Sequence, residues 1–341
     1  MRKSRKKGKS SASRKFSAKL ALCLCAALVI WGLAAEWFVH HSRGWLDRHE
    51  AAWPRVAVSA LYLLGNPLAD VTDALGWTGH DAVYEYDEEA PENRVFFAGA
   101  PTRIAAPAPN DVKVLDRGEF IIGWSDSLRH PLWCAYHVTR EPKFDDGKRP
   151  SFLVDRSIPL APHPDDYSNS GYDRGHMAPN HAIVSRYGDA ERRKTFLMSN
   201  IAPQSPELNR GVWRDLEHRI ADLWTARYGE IWVVVGTIPS ATERKMGTID
   251  VPDAYYQVVI AQEGMNVRAF AVLLPNDIGW NSWAARYLVS IEKLEEATGL
   301  DFNPDLPDFI ASPLEAELPS RLWPVRARDI LSLVASSFFT N

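Results

Sequence analysis

From about Asn93 to residue 315 the chain alternates short apolar runs with polar turns, the pattern of a folded body holding both strands and helices. Residues 120–124 (FIIGW) and 132–138 (LWCAYHV) are β-rich runs separated by a polar turn and predict two neighbouring strands. The stretch 161–175, rich in Pro, Asp, Ser and Gly, predicts a loop. After Pro206, apolar residues recur at helical spacing across 208–228 and stop at Gly229, which predicts a helix with a glycine end. Residues 231–236 (IWVVVG) read as a buried strand, and 255–261 with 267–274 as a hairpin across 263–266. A short helix at 291–298 precedes a Pro-rich end. Strands and helices mix without a regular βαβ alternation, so the predicted class is α+β.

Residues 1–92 follow another pattern. No charge occurs between Leu20 and Ala35, and only Glu36 interrupts the apolar character up to Val39. That is about twenty residues, enough to cross a hydrocarbon core at roughly 1.5 Å per residue. Nine Lys/Arg and no acid occupy residues 1–19. The positive-inside rule keeps this tail cytoplasmic and puts everything after about residue 40 outside the cytoplasm, periplasmic or extracellular. A cleaved signal peptide, with Gly32 and Ala34 at small-residue cleavage positions, and a mitochondrial presequence are the alternatives. The long apolar block and the dense lysines favour the anchor. A lipoprotein signal is disfavoured by the bulky Leu22 before Cys23. The expected organisation is a basic tail (1–19), a transmembrane anchor (20–39), a juxtamembrane helical segment and acidic linker (40–92), a main domain (93–315) and a C-terminal tail (316–341).

The composition, 46% hydrophobic and 24% charged, excludes wholesale disorder and a polytopic membrane protein. The net charge of −4 hides an asymmetry. With the nine basic residues of the tail set aside, 30 basic residues face 43 acidic ones, a net −13 over 20–341. A polyanion bound by the body would therefore need local basic groups, for which Arg186, Arg192, Arg193 and Lys194, and Arg210, Arg214 and Arg219, are the candidates, with a solvated charged surface as the competing reading. Three cysteines, two of them in the apolar run and Cys134 alone in the body, exclude a disulfide framework and a structural zinc site.

The phosphate-loop, dinucleotide, zinc-protease and serine-hydrolase signatures are absent. Two segments stand out: Y-D-R-G-H-M-A-P-N at 172–180 and N-R-G-V-W-R-D-L-E at 209–217. Within four residues the first combines an orienting carboxylate (Asp173), a phosphate-binding fork (Arg174) and a general base (His176). On a regular helix Asn209, Trp213 and Glu217 share one stripe, each step rotated about 40°. The amide and the carboxylate then lie roughly 12 Å apart along the axis. That suits a hydrated Mg²⁺, which accepts few protein oxygens and keeps most of its waters. Each residue alone has a plainer reading: a surface histidine, a first-turn asparagine, a core tryptophan, a solvated glutamate.

Together with S-N-I-A-P-Q at 199–204, P-L-W-C-A-Y-H-V at 131–138, R-P-S-F-L-V-D-R-S-I-P at 149–159 and I-E-K-L-E-E-A-T-G-L-D-F at 291–302, these segments resemble the DNA/RNA non-specific endonuclease family over residues 95–309. The resemblance implies a ββα-metal (His-Me finger) nuclease with a central antiparallel sheet. It implies a Mg²⁺-dependent endonuclease, with Mn²⁺ as an alternative ion, acting on DNA and RNA without sequence preference and leaving 5′-phosphate ends. Carried over by position, it makes His176 the base that activates water, Asn209 the direct metal ligand and Glu217 the holder of the metal's waters. It makes Asn200 a supporting active-site amide and Arg149 a neutraliser of phosphate charge. Arg174 either touches the phosphate or buttresses Asp173. The expected partners are nucleic acid as substrate, the membrane through the N-terminal helix read from its own pattern, and a second copy in a homodimer. A phosphodiesterase for small nucleotides and a non-catalytic receptor for DNA uptake are the alternatives.

Overall fold

A computed structural model describes residues 84–85, 95–140, 142–144, 148–263, 266–280 and 282–323. The expected basic tail, transmembrane anchor and juxtamembrane helices lie outside the described residues, as does the chain after Trp323. Among the described residues no helix is long and apolar enough to cross a membrane.

Fourteen strands occur in chain order among them. They are β1 (Tyr84–Glu85), β2 (Thr102–Arg103), β3 (Val112–Asp116), β4 (Phe120–Ser125), β5 (His130–Val138), β6 (Asp173–His176) and β7 (Ile201–Gln204). After these come β8 (Glu230–Ile238), β9 (Lys245–Met246), β10 (Ile249–Asp250), β11 (Ala254–Glu263), β12 (Asn266–Pro275), β13 (Leu288–Val289) and β14 (Leu300–Asp301). Eight of them build one antiparallel sheet in the order β1-β12-β11-β8-β5-β4-β3, with β13 also on β12.

The central strands are buried on both faces, which explains their near-continuous apolar runs. On one face Trp133, Trp232, Tyr256, Val258 and Ile260 pack with Phe96, Phe97, Phe302 and the apolar residues of helices Ile291–Thr298 and Asp308–Ala316. Alternation sends Cys134, Tyr136, Tyr255 and Phe270 to the other face. There Tyr255 and Phe270 meet Trp213 and Trp224 edge-on at 5.6 and 5.3 Å. The large rings are accommodated by glycine on the neighbouring strand. A Cβ at Gly123 would lie 2.2 Å from the Trp133 ring, and one at Gly236 would lie 2.1 Å from Tyr256.

The second face carries the site. Helices α1 (Asn180–Tyr187) and α2 (Asp189–Thr195) separate β6 from β7, and a helical run α3 over 206–228 follows β7. Its buried face is Leu208, Val212, Trp213, Leu216, Ile220 and Trp224. Gly229, at φ +93°, ends it in a conformation that other residues adopt only at a cost.

The structure corrects the sequence reading at four points. The motif residues 173–176 form a strand rather than the end of a loop. The predicted helix at 208–228 exists but is interrupted at Gly211, whose φ −98° and ψ −118° are not helical, so Asn209 leaves the regular stripe it shares with Trp213 and Glu217 on an ideal helix. Residues 308–316 are helical even though Pro313 lies inside that segment. Packing also continues past residue 315, because Trp323 is buried against Trp224, Tyr228 and Phe270.

Candidate active site

Strand β6 pairs antiparallel with β7, setting Asp173 opposite Gln204 and His176 opposite Ile201. The strand period places Arg174 and His176 on one face, and Asp173 and Gly175 on the other. A Cβ at Gly175 would come within 2.5 Å of Gln204 Oε1 and 3.1 Å of the Ala202 carbonyl oxygen. The close approach of the two strands therefore depends on glycine there.

The His176 ring sits between two phenylalanines, 5.3 Å from Phe152 and 4.9 Å from Phe196. Phe152 belongs to a segment tied down by backbone bonds, Leu153 N donating to the Phe196 carbonyl and Met198 N to the Leu153 carbonyl. Buried Asp155 secures the same segment by accepting from Ser157 and Ser199 and pairing with Arg117. The exposed Arg149 begins this segment, close enough to act electrostatically on both His176 and Glu217. Burial, and then the Arg149 charge, push the His176 pKa down to about 3. The imidazole is therefore neutral near pH 7, and its buried Nε2 has no partner among the described residues.

Asn200 is fully buried behind the motif. Its Nδ2 donates to the Ala178 and Thr195 carbonyls at 3.0 Å each, and its Oδ1 accepts from Ala178 N at 2.9 Å. The Cys134 thiol also points to that oxygen at 3.9 Å, and burial raises the thiol's pKa well above its usual value. Asn200 thus fixes the backbone that follows His176. It is a positioning residue with no amide group turned to solvent.

Asp173 faces Asn209, not His176. Its Oδ2 accepts from Asn209 Nδ2 at 2.9 Å, and its two oxygens take a fork from Arg210 at 2.7 and 2.5 Å. Burial alone would raise its pKa, but the Arg210 and Asn209 hydrogen bonds outweigh burial and hold it below the ordinary carboxylate range. The orienting carboxylate read from the sequence therefore orients the amide, because the strand's alternation turns it away from the imidazole. With Nδ2 committed, the amide oxygen of Asn209 has no hydrogen-bond partner among the described residues. Of the two roles left open for Arg174, the buttressing of Asp173 by hydrogen bonds belongs to Arg210. Arg174 itself donates to the Pro164 carbonyl at 3.1 and 2.7 Å and lies over the Phe152 and Tyr167 rings, pinning the turn Pro164–Tyr167.

Glu217, half-buried on α3, has its pKa raised to about 7 by burial. The nearby Trp213 indole N–H and the charges of Arg149, His181 and Arg214 pull it back only partly. Sequence reasoning missed a neighbouring cluster in which Asp222 accepts from His181 at 3.0 Å and from His218 at 2.8 Å. The i, i+4 spacing of His218 and Asp222 was the available signal.

Several of the basic residues read as a nucleic-acid surface are occupied within the fold. Arg186 is buried and donates to Thr139 and Ser185, Arg192 is buried against Asp189, and Lys194 pairs with Glu191. Arg219 pairs with Asp215. Near the site, Arg149 and Arg214 are exposed, and Arg210 remains mostly exposed while paired to Asp173. Among the described residues no group of three or more His, Cys, Asp or Glu could cage a metal ion. A cation at this site would take an amide oxygen and keep most of its waters, a donor set that suits Mg²⁺.

The family model described as DNA/RNA non-specific endonuclease matches residues 99–309. A nuclease of Nostoc sp. is 29% identical over 220 residues, which covers 61% of this chain and 79% of the relative. The mitochondrial nuclease EXOG of Danio rerio is 32% identical over 206 residues, 54% of this chain and 59% of the relative, so the match spans little more than half of that protein. Human mitochondrial endonuclease G is 28% identical over 216 residues, covering 58% and 72%. Among solved structures, EndoG in its complex with the inhibitor EndoGI superposes with a TM-score of 0.52 at 26% identity, covering 57% of this chain and 86% of that one.

Proposed function

Because this chain belongs to the DNA/RNA non-specific endonuclease family and is a nuclease, we propose that it cuts DNA and RNA internally in a reaction that depends on a divalent cation, Mg²⁺ or Mn²⁺, at Asn209 and Glu217. One observation carries the cation: Asp173 takes the nitrogen of the Asn209 amide and leaves its oxygen without a hydrogen-bond partner among the described residues. The raised pKa of Glu217 points the same way, since a half-buried carboxylate lacking a full counter-charge is stabilised by a nearby cation. When bound, the ion supplies positive charge for the phosphate and the leaving 3′ oxygen.

The chain's own groups do the rest. The neutral His176 accepts the proton of the attacking water, a task its depressed pKa keeps open across the physiological range. Phe152 and Phe196 hold the ring and exclude bulk water from it, and Asn200 holds the backbone behind it. Arg149 offers its charge to the phosphate from the exposed side. Attack of water on phosphorus with departure of the 3′ oxygen leaves 5′-phosphate ends. The proposal extends to the address: residues 20–39 anchor the protein in a membrane, with residues 1–19 cytoplasmic and the nuclease domain outside, supported by the run of nine cations before the apolar block.

Incubating the protein with plasmid and with total RNA, with and without EDTA, tests the activity. Metal-dependent smearing of both polymers is expected. Intact polymers at every metal concentration would reject the proposal, and cleavage confined to dinucleotides would turn it toward a small-substrate phosphodiesterase.

A further inference from the structure

Among the described residues, the Trp280 ring lies exposed on a loop whose backbone runs beside the Asn209 end of α3. Trp280 is 54% exposed, whereas most of the other described tryptophans are core residues. The loop opens at Asn276, which is 2% exposed and joins three elements. Asn276 Oδ1 accepts from Ser205 N, the N-cap of α3, at 2.8 Å, and its Nδ2 donates to the Pro203 carbonyl of β7 at 3.1 Å and the Pro252 carbonyl at 2.9 Å. Ile278 is buried next to it, and Ser282 N closes a turn onto the Gly279 carbonyl at 3.1 Å. The loop is thus fastened to the strand that pairs with the His176 strand and to the cap of the helix that carries Asn209.

Its position follows from Gly211. A Cβ built on Gly211 would lie 4.0 Å from the Trp280 carbonyl oxygen, and Gly211 is two residues from Asn209. Arg210 and Arg214, both exposed, flank that glycine on α3. A phosphodiester track reaching Asn209 would therefore pass exposed cations and, on the neighbouring loop, an exposed aromatic ring. The loop backbone beside Gly211, two residues from Asn209, brings the ring within reach of a base a few nucleotides from the cut.

We propose that Trp280 is a base-stacking subsite of this nuclease, taking a nucleobase of single-stranded or locally unpaired DNA or RNA a few nucleotides from the scissile phosphate; this rests on the nuclease reading given above. Stacking tolerates any base, because every base has a π-face, and so suits an enzyme without sequence preference. The faces of bases within an intact duplex are covered by their neighbours, so the subsite favours single strands.

The test uses the full chain and a short single-stranded DNA oligonucleotide, with a series in which one nucleotide at a time is abasic. Trp280→Ala should raise KM by about 5- to 150-fold, the range of a single base–aromatic stack, with kcat within about twofold of the parent by the same argument, since no reacting group is touched. Trp280→Leu, which keeps bulk without a π-face, should behave like Ala, and Trp280→Phe should stay near the parent. In the parent, loss of one base near the cut should raise KM sharply. In Trp280→Ala the abasic series should be flat at that position, and its unchanged cleavage of that abasic oligonucleotide reports an intact fold. Equal KM values for parent, Ala and Leu variants, or the same abasic profile in all, would overturn the subsite while leaving the nuclease standing. A parent that cuts no oligonucleotide would overturn the nuclease reading and the subsite together.

Discussion

At the scale of single residues, the site is built by opposing pKa shifts. Burial pushes His176 down to about 3 and Glu217 up to about 7, because burial disfavours the charged form of each. His176→Ala is expected to lower kcat by at least about 100-fold, the scale of a lost positioned base, with circular dichroism and Tm near the parent. In the parent with saturating metal, protonation of the base should leave no acid limb near pH 6.5 in kcat, and a stopped assay between pH 4 and 8 checks this. Glu217 has a further signature in stability. Its folded pKa lies above its unfolded value, so its contribution is fully present below about pH 4.5 and lost as pH rises through about 7. In EDTA, Glu217→Gln should therefore be more stable than the parent at pH 8, by on the order of 2 kcal/mol. The gap should close below about pH 4.5, as read by urea denaturation at both pH values.

At the scale of elements, the β6–β7 pair and α3 act as one unit because Asp173 bridges them through Asn209 and Arg210. Asp173→Ala frees the amide to rotate without touching the base. It should raise the Mg²⁺ concentration for half activity by about 10- to 100-fold, as loss of an orienting partner does, with most of kcat recovered at saturating metal. A metal titration of activity decides this, and an unshifted midpoint would make the Asp173–Asn209 bond purely structural. The motif's alternation was readable from D-R-G-H once the segment is known to be a strand. The Pro, Asp, Ser and Gly of 161–175 concealed it, since their turn preferences are local while the pairing with β7 is a contact across 25 or more residues. Pro313 hid the last helix in the same way.

At the scale of the whole molecule, charge and topology matter most. With Arg186, Arg192, Lys194 and Arg219 used inside the fold and a net −13 over 20–341, nucleic acid meets few free cations near the site. Two such residues, Arg149 and Arg214, with Arg210 exposed but held by Asp173, give an expected slope of log affinity against log salt of about −2. KM for duplex DNA measured across NaCl concentrations at fixed Mg²⁺ would show it, and a much steeper slope would mean a basic surface elsewhere. For topology, protease added to intact spheroplasts should digest the nuclease domain; a domain digested only after lysis would reverse the proposed orientation.

What the sequence determined by itself was whatever rests on local spacing and residue chemistry: the two strands at 120–124 and 132–138, which the structure extends to 120–125 and 130–138, the hairpin of β11 and β12, the helical run ended by Gly229, and the candidate residues His176, Asn209 and Glu217. These are legible because apolar periodicity and turn chemistry are short-range signals. The tertiary structure decided which way each polar group faces. It turned Asp173 to Asn209 and Arg174 to the Pro164 carbonyl, buried Asn200 behind the motif, and drew most of the flanking arginines into internal pairs. Hydrogen-bond partners and desolvation are set by elements distant in the chain, and no spacing along the chain encodes them.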